Sequence, residues 1–280
     1  MLHSGISKLI LMFAILDQTK KMEGKENKYQ APALEKGLDI LEFLASKPVP
    51  LSQTEIAAGI DKNSNEIYRM LVSLENRSYI IRDELSGKYR LSLKLYQLSH
   101  RHSPVDELYR TGRLPLEELA HNTMQSCHLS IAYMNQVMVI LHAKSPAPIA
   151  LSIEEGNLFP LPLTASGKVI LAYLSQEERE AALDKYDTYI NFTAEQEKKF
   201  FQSLNKIKEQ GFYIQTSDLA EGVVDISVPV GKTETGIMAC LTVSRLTTLN
   251  INRAVKNEDI LAEAAICAGI IQKRAGIISI

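Results

Sequence analysis

Apolar residues near the start of the folded part of the chain recur at the spacing of an amphipathic helix. One helical face is formed by Leu34, Leu38, Leu41 and Leu44. This spacing predicts a first helix over residues 34–45. Pro48 and Pro50 follow it closely, and they mark its end because proline cannot continue a helix.

Two further helices are marked by their caps as well as by their apolar residues. Ser52 and Glu55 have the spacing of a capping box, which predicts a short helix over residues 53–58. Asn63 or Ser64 then caps a third helix. The apolar stripe of this helix consists of Ile67, Met70, Leu71 and Leu74, and its opposite face carries Asn65, Glu66, Tyr68, Arg69, Ser73 and Arg77.

A change to short apolar runs follows the third helix. The runs meet at Ser86-Gly87, a turn pair that predicts a β-hairpin over residues 80–91. Three helices followed by a hairpin within residues 31–92 are typical of a winged helix-turn-helix. In such a fold the third helix, here around residues 63–76, enters the major groove of DNA and the hairpin contacts the DNA backbone.

The rest of the chain mixes strand-like and helical patterns. Strands are predicted over residues 127–134, 136–143, 148–153 (PIALSI), 211–217, 223–230 and 236–244. Helices are predicted over residues 113–124, 163–175, 175–186, 193–211 and 252–274. Strands therefore come before and after a helical block, which indicates an α+β domain on an antiparallel sheet without strict βαβ alternation.

These patterns divide the chain into four parts. They are an N-terminal extension expected to be disordered (1–30), the winged helix-turn-helix (31–92), a helical linker (93–113) and a second, α+β domain (114–280). The apolar run LILMFAIL, residues 9–16, is too short to span a bilayer. Residues 1–21 are either an upstream extension of the reading frame from Met22 or a disordered or helical arm.

Charge supports DNA binding locally and not globally. The formal net charge is −2, whereas residues 63–102 hold 7 Lys/Arg against 4 Asp/Glu. The side chains expected to face DNA are Lys62, Asn63, Ser64, Asn65, Glu66, Tyr68, Arg69, Lys88 and Arg90. The cations would contact phosphates, and Glu66 would either accept from a cytosine amino group or complement the helix dipole. A solvated amphipathic helix has the same polar face, so its spacing alone leaves that alternative open.

Motifs of catalysis and metal binding are missing from the sequence. It has no P-loop, no G-x-G-x-x-G and no G-x-S-x-G, and its histidines lack metal-binding spacing. We therefore predict no enzyme activity, no metal and no other cofactor. The cysteines, Cys127, Cys240 and Cys267, form no C-x-x-C pair, which favours a reducing compartment and cytoplasmic localisation.

The order of these segments resembles the IclR family of bacterial transcriptional regulators. The first part is similar in the runs LEKGLDILEFLA, EIYRMLVSLENRSYI and SGKYRLSLKLYQLS. The second part is similar in FPLPLTASGKVILAYLS, KIKEQGFYIQTSDLAEGVVDISVPV and GIMACLTVS. The resemblance covers residues 31–275. It implies a GAF-like C-terminal domain in which a small metabolite, often carboxylated or aromatic, alters DNA affinity.

One wall of the implied pocket is marked by small residues. Thr164, Ala165, Ser166 and Gly167 open a predicted helix, and the unpaired N–H groups of a helix start attract a ligand carboxylate. The alternative is structural. Thr164 would then be only an N-cap, and Gly167 would only permit tight packing.

The resemblance puts the opposite wall at Asp225, Ser227, Thr242 and Ser244. Strand alternation supports this, because Asp225 and Ser227 share one face while their apolar neighbours share the other. Family members often have a cysteine where Asp225 stands and a histidine near Pro162. Because Asp225 would repel a simple acid, we also consider an effector with hydroxyl or amine groups.

Together these observations predict a cytoplasmic, homo-oligomeric and ligand-responsive transcriptional regulator of α+β fold. A homodimer or homotetramer, paired through the helix at 34–45 and the linker, would bind a palindromic operator in double-stranded DNA. A small-molecule effector would change that affinity. Two alternatives come from other classes: an enzyme that processes a metabolite in the second domain, and a winged-helix module that binds another protein.

Overall fold

The computed structural model divides the chain into two compact units, with the division between residues 103 and 104. It describes residues 31–99, 105–184, 186, 192–233, 236–247 and 256–277. The predicted N-terminal extension, residues 1–30, lies outside the described residues. None of the helices in the described ranges is both long and apolar enough to cross a membrane.

The first unit has the predicted order of three helices and a hairpin. Its described elements are α1 (Pro32–Ala45), α2 (Gln53–Gly59), α3 (Ser64–Asn76), β1 (Ile80–Arg82), β2 (Tyr89–Leu91) and α4 (Lys94–Ser99). The two strands pair antiparallel, with Ile81 opposite Arg90. This order confirms the winged helix-turn-helix.

Local hydrogen bonds and a small apolar core hold this unit together. The capping box is formed as predicted, since Ser52 N–H donates to Glu55 Oε2 at 2.7 Å and Glu55 N–H donates to Ser52 Oγ at 3.3 Å. The core consists of Ile40, Leu41, Leu44, Ile56, Ala57, Ile67, Leu71, Ile80 and Tyr89. Leu34 and Leu38 are 61% and 45% exposed, so the apolar stripe of α1 is buried only in its C-terminal half.

The second unit contains the remaining described elements. They are α5 (Asp106–Thr123), β3 (Ser126–Tyr133), β4 (Gln136–Ala143), β5 (Leu158–Pro160), α6 (Ala165–Tyr173), α7 (Gln176–Leu183), α8 (Ala194–Gln210), β6 (Tyr213–Thr216), β7 (Val223–Lys232), β8 (Met238–Leu246) and α9 (Asn257–Arg274). The domain boundary predicted between residues 113 and 114 falls inside α5, which is continuous across it. Residues 252–255, the predicted start of the last helix, lie outside the described residues.

A six-stranded antiparallel sheet forms the centre of the second unit. Its strand order is β5-β4-β3-β8-β7-β6, so the first three strands and the last three meet where β3 pairs with β8. One face packs against α5 and α9, and the other packs against α6, α7 and α8. Alternate residues of one strand serve the two faces: Leu241 belongs to the first core and Cys240 to the second. The observed architecture confirms the predicted α+β class.

The prediction of a strand over residues 148–153 (PIALSI) is wrong. This segment is irregular, and the edge strand of the sheet is instead β5, which pairs with β4 at Gln136–Met138. Pro148 has no N–H to donate to a strand ladder. The carbonyl of Leu151 accepts a hydrogen bond from Ser126 Oγ at 2.6 Å. A side chain of β3, and not a strand ladder, thus satisfies this backbone carbonyl, and the segment lies outside the sheet.

Candidate functional site

The exposed face of α3 is the first candidate site. Ile67 and Leu71 are fully buried and fix the helix on the core, which leaves Asn65, Tyr68 and Arg69 on the exposed side. Tyr68 is 54% exposed. The face therefore offers an amide, a phenol and a guanidinium on adjacent turns, and these groups suit hydrogen bonds to base edges and phosphates.

Some residues at the start of α3 already have partners within the unit. Asn63 is the N-cap, and its Oδ1 accepts from Asn65 N–H at 3.1 Å. The carbonyl of Ser64 accepts from Gln53 Nε2 at 2.8 Å, a contact between α2 and α3 that sequence reasoning missed. Lys62 precedes the cap and is exposed. These contacts fix the orientation of the first turn of α3.

Glu66 is engaged by a residue that the sequence patterns did not single out. Lys36 on α1 donates to Glu66 Oε2 at 2.7 Å. The bond from Lys36 holds the pKa of Glu66 below its ordinary value, with a smaller contribution from the hydrogen bond at Asn63. Glu66 therefore has less free acceptor capacity for a cytosine amino group than its position on α3 suggested.

The hairpin presents the second group of predicted contacts. Arg90 is exposed on β2, and Lys88 Nζ lies 3.9 Å from Glu55 Oε2, a long ion pair between exposed side chains. Asp83 Oδ1 accepts from the backbone N–H of Ser86 at 2.7 Å, and Gly87 takes a positive φ of 67°, which glycine adopts without strain. The hairpin thus has a defined turn and carries Lys88 and Arg90 on its second half.

The second candidate site is a cavity of about 240 Å³ in the second unit. It lies on the sheet face that packs against α6. It is lined by His128, Val137, Leu151, Ser152, Ile153, Asn157, Phe159, Thr164, Ala165, Ser166, Ser217, Leu219, Ala220, Val223, Asp225, Thr242 and Ser244. Most of the lining surface is apolar, although nine of these 17 residues carry polar side chains, and this combination is typical of small-molecule sites. We call it the effector pocket.

Six of the eight predicted effector residues line the pocket: Thr164, Ala165, Ser166, Asp225, Thr242 and Ser244. Gly167 and Ser227 do not. Gly167 N–H donates to Thr164 Oγ1 at 3.0 Å, and a Cβ at Gly167 would lie 2.0 Å from the carbonyl oxygen of Leu161. Ser227 is fully buried and shares a hydrogen bond of 2.7 Å with Thr242 Oγ1. Packing explains why neither residue lines the pocket. For Gly167 this agrees with the alternative that it only permits tight packing.

Cross-strand pairing aligns polar residues in two rows on this face of the sheet. One row runs Ser227, Thr242, His128 and His142 across β7, β8, β3 and β4. The next row runs Asp225, Ser244 and Ser126. The sequence alone does not reveal these rows, because they depend on the register between strands distant in the chain.

His128 is a pocket residue that sequence reasoning missed. The residue is only 7% exposed and lines the pocket. Burial, together with a smaller effect of the nearby His142 ring, lowers the pKa of His128 to about 4. The imidazole is therefore neutral at neutral pH, with one nitrogen as donor and the other as acceptor.

Asp225 is the acidic group of the pocket. Ser244 Oγ donates to Asp225 Oδ1 at 2.7 Å. Burial raises the pKa of Asp225 above its ordinary value, whereas hydrogen bonds from Ser244 and Ser217 oppose that rise. Lys168 Nζ forms an ion pair with Asp218 Oδ2 at 3.6 Å and donates to Gln215 Oε1 at 2.7 Å.

Metal and thiol chemistry find no support in the described ranges. No group of three or more His, Cys, Asp or Glu side chains in them is placed to hold a metal ion. The cysteines are buried, and burial raises the pKa of Cys240 and of Cys267 to about 12, so their thiols are protonated at neutral pH.

Comparison with known proteins matches both units. Residues 105–271 match the family described as bacterial transcriptional regulator IclR C-terminal, and residues 33–84 match the IclR helix-turn-helix domain. The HTH-type transcriptional regulator XynR of Escherichia coli (strain K12) is 27% identical over 217 residues, which cover 77% of this chain and 86% of that protein. The glycerol operon regulatory protein of Streptomyces coelicolor is 25% identical over 198 residues, which cover 71% and 78%.

Solved structures give the same fold. An IclR homolog from Microbacterium hydrocarbonoxydans, crystallised in complex with 4-hydroxybenzoate, aligns with a TM-score of 0.72 at 17% identity. The alignment covers 87% of this chain and 99% of that chain. At this identity the likeness is one of fold.

Proposed function

The chain belongs to the IclR family of bacterial transcriptional regulators, and we propose that a small molecule bound in the effector pocket changes its affinity for a DNA operator. The observation that carries this proposal is the effector pocket itself, a cavity of about 240 Å³ in which polar side chains such as His128, Asp225 and Thr242 lie among apolar ones. Buried polar groups normally have hydrogen-bond partners, and a ligand can be one of them.

For DNA, we assign direct contacts to the exposed face of α3 and to the hairpin. Asn65, Tyr68 and Arg69 would face the groove, and Lys62, Lys88 and Arg90 would contact phosphates. Asn63 and Ser64 would act mainly by holding the first turn of α3, and Glu66 would act together with Lys36. We assign this role to residues 31–92 and effector binding to residues 114–280.

The remaining parts of the proposal concern oligomeric state, cellular localisation and enzyme activity. We propose a homodimer or homotetramer that binds a palindromic operator, because two identical DNA-binding units read two symmetric half-sites. We also propose a cytoplasmic regulator without enzyme activity, in line with the family. The complex with 4-hydroxybenzoate described for the Microbacterium homolog supports a ligand in the corresponding domain.

A gel-shift experiment tests the DNA-binding part of this proposal. The purified protein is mixed with DNA from upstream of its own and neighbouring genes, at two salt concentrations, with unrelated DNA as competitor. We expect a specific shift that weakens with salt and that weakens further in Arg69→Ala. Arg274→Ala, which removes an exposed arginine from the last turn of α9, is the matched control. Equal binding by Arg69→Ala and wild type would remove Arg69 from the contact surface.

A further inference from the structure

The effector pocket has an acidic side chain but no basic one. Of the 17 described residues that line it, Asp225 is acidic and none is lysine or arginine. Lys168 lies on the same helix as Ala165 and Ser166, but its Nζ is directed to Gln215 and Asp218. A ligand in the pocket would therefore meet a net negative charge.

The Asp225 carboxylate retains acceptor capacity for a ligand. It accepts a hydrogen bond from Ser244 Oγ at 2.7 Å, whereas an ionised carboxylate has about four lone-pair sites. A buried carboxylate without a cation is costly unless donors satisfy it. A hydroxyl or ammonium group of a ligand would provide such a donor, and a second carboxylate would only add repulsion.

His128 is an independent indication of a ligand. It lines the same pocket and is only 7% exposed. Its neighbour Thr242 is already bonded to Ser227 at 2.7 Å. The neutral ring can accept one hydrogen bond and donate another to the same ligand.

We infer that the effector is a small molecule with hydroxyl or amine groups, one of which donates a hydrogen bond to Asp225 while another polar atom contacts His128. Its carbon skeleton would lie against the apolar part of the lining, which includes Val137, Leu151 and Phe159. A molecule whose polar groups are all carboxylates would bind poorly. This inference rests on the proposed function of the pocket.

Two sets of matched probes test the inference by isothermal titration calorimetry. One set is benzyl alcohol, benzylamine and benzoate, and the other is butane-1,4-diol, butane-1,4-diamine and succinate. Within at least one set, we expect the alcohol or the amine to bind the full-length protein about tenfold tighter than the acid. Comparing the affinities of the alcohol and the amine shows whether the pocket prefers a neutral or a cationic hydrogen-bond donor.

Variants test whether Asp225 causes the preference. Asp225→Asn should reduce the preference for the alcohol or amine over the acid about tenfold, because Asn keeps the shape of Asp but loses its charge. Asp218→Asn removes a neighbouring carboxylate that does not line the pocket and should leave the preference unchanged. If Asp225→Asn fails to fold, the wild-type comparison decides by itself.

Two results would overturn the inference: in both sets, an acid that binds wild type as tightly as its alcohol and amine, or no binding of any alcohol or amine at millimolar concentration. The gel shift distinguishes this failure from failure of the proposed function. Specific DNA binding combined with either result would overturn only the inference about the effector. Absence of specific DNA binding would overturn the proposed function itself.

Discussion

Ser244 Oγ donates a hydrogen bond to Asp225 Oδ1 at 2.7 Å, and the two residues are direct cross-strand partners on β8 and β7. Both side chains line the effector pocket. The bond offsets part of the cost of burying Asp225, but the described lining contains no cation to offset the rest. A carboxylate kept at a cost to stability is expected where a ligand needs it.

Asp225→Asn should raise the free energy of unfolding of the unliganded protein at pH 7 by about 1 kcal/mol. Burial raises the folded-state pKa of Asp225 above its ordinary value of 3.8. The folded state therefore binds the proton more tightly. The cost to stability of ionised Asp225 appears as the pH rises through the pKa of the folded state, and it vanishes below the pKa of the unfolded state. Urea denaturation at pH 7 and pH 3.5 would measure this. Destabilisation at pH 7 would mean that Asp225 is mainly structural.

Gly167→Ala should destabilise the second unit by about 1–3 kcal/mol, because the new Cβ would lie 2.0 Å from the Leu161 carbonyl oxygen. Gly269→Ala is the matched control. Gly269 lies inside α9 with nothing within 4 Å of the new Cβ, so alanine should stabilise that helix by roughly 0.5–1 kcal/mol. Chemical denaturation measures both. Equal effects of the two substitutions would show that contact with Leu161 does not require glycine at 167.

His128 should make the protein less stable in mild acid. Its pKa falls from 6.5 to about 4 on folding, so the unfolded chain binds more protons between these values and stability decreases as the pH is lowered through them. The loss is on the order of 3 kcal/mol at pH 4. His128→Gln should reduce this dependence when unfolding is measured by urea titration from pH 7 to pH 4. His121→Gln, at an exposed position of α5, controls for loss of an imidazole. An unchanged pH dependence of stability in His128→Gln would contradict the assignment of the acid sensitivity to His128.

Lys36→Met should weaken operator binding several-fold, which is about the effect of losing one positive charge near the DNA phosphates. Without Lys36, the Glu66 carboxylate would lie uncompensated on the face of α3 that we assign to DNA. Fluorescence anisotropy of a labelled operator measures the affinity. Adding Glu66→Gln to the Lys36→Met variant should restore much of it. If the double variant binds as weakly as the single one, Lys36 itself contacts DNA.

Local signals made the first unit predictable. The capping box of Ser52 and Glu55 and the N-cap Asn63 each depend on residues close in the chain, and the structure has them as predicted. In the second unit, Gly211 ends α8 with a positive φ of 78° for the same local reason. The alternation that put Asp225 and Ser227 on one face is also local, and their partners Ser244 and Thr242 confirm it.

Non-local contacts account for what the sequence did not predict. His128 enters the pocket because β3 pairs with β8, more than 100 positions away, and no spacing within β3 reveals this. The pair between Lys36 and Glu66 joins α1 to α3. The segment at 148–153 has a strand-like composition, but Pro148 and the hydrogen bond from Ser126 to Leu151 keep it outside the sheet.

The central claim is that the effector pocket and the DNA-binding surface are energetically coupled. The most direct test measures the affinity of a pocket ligand for the free protein and for the operator complex, and measures the operator affinity with and without that ligand. The claim predicts that both affinities change by the same factor, because coupling between two sites is reciprocal. A ligand that binds the free protein and the operator complex with equal affinity would contradict it.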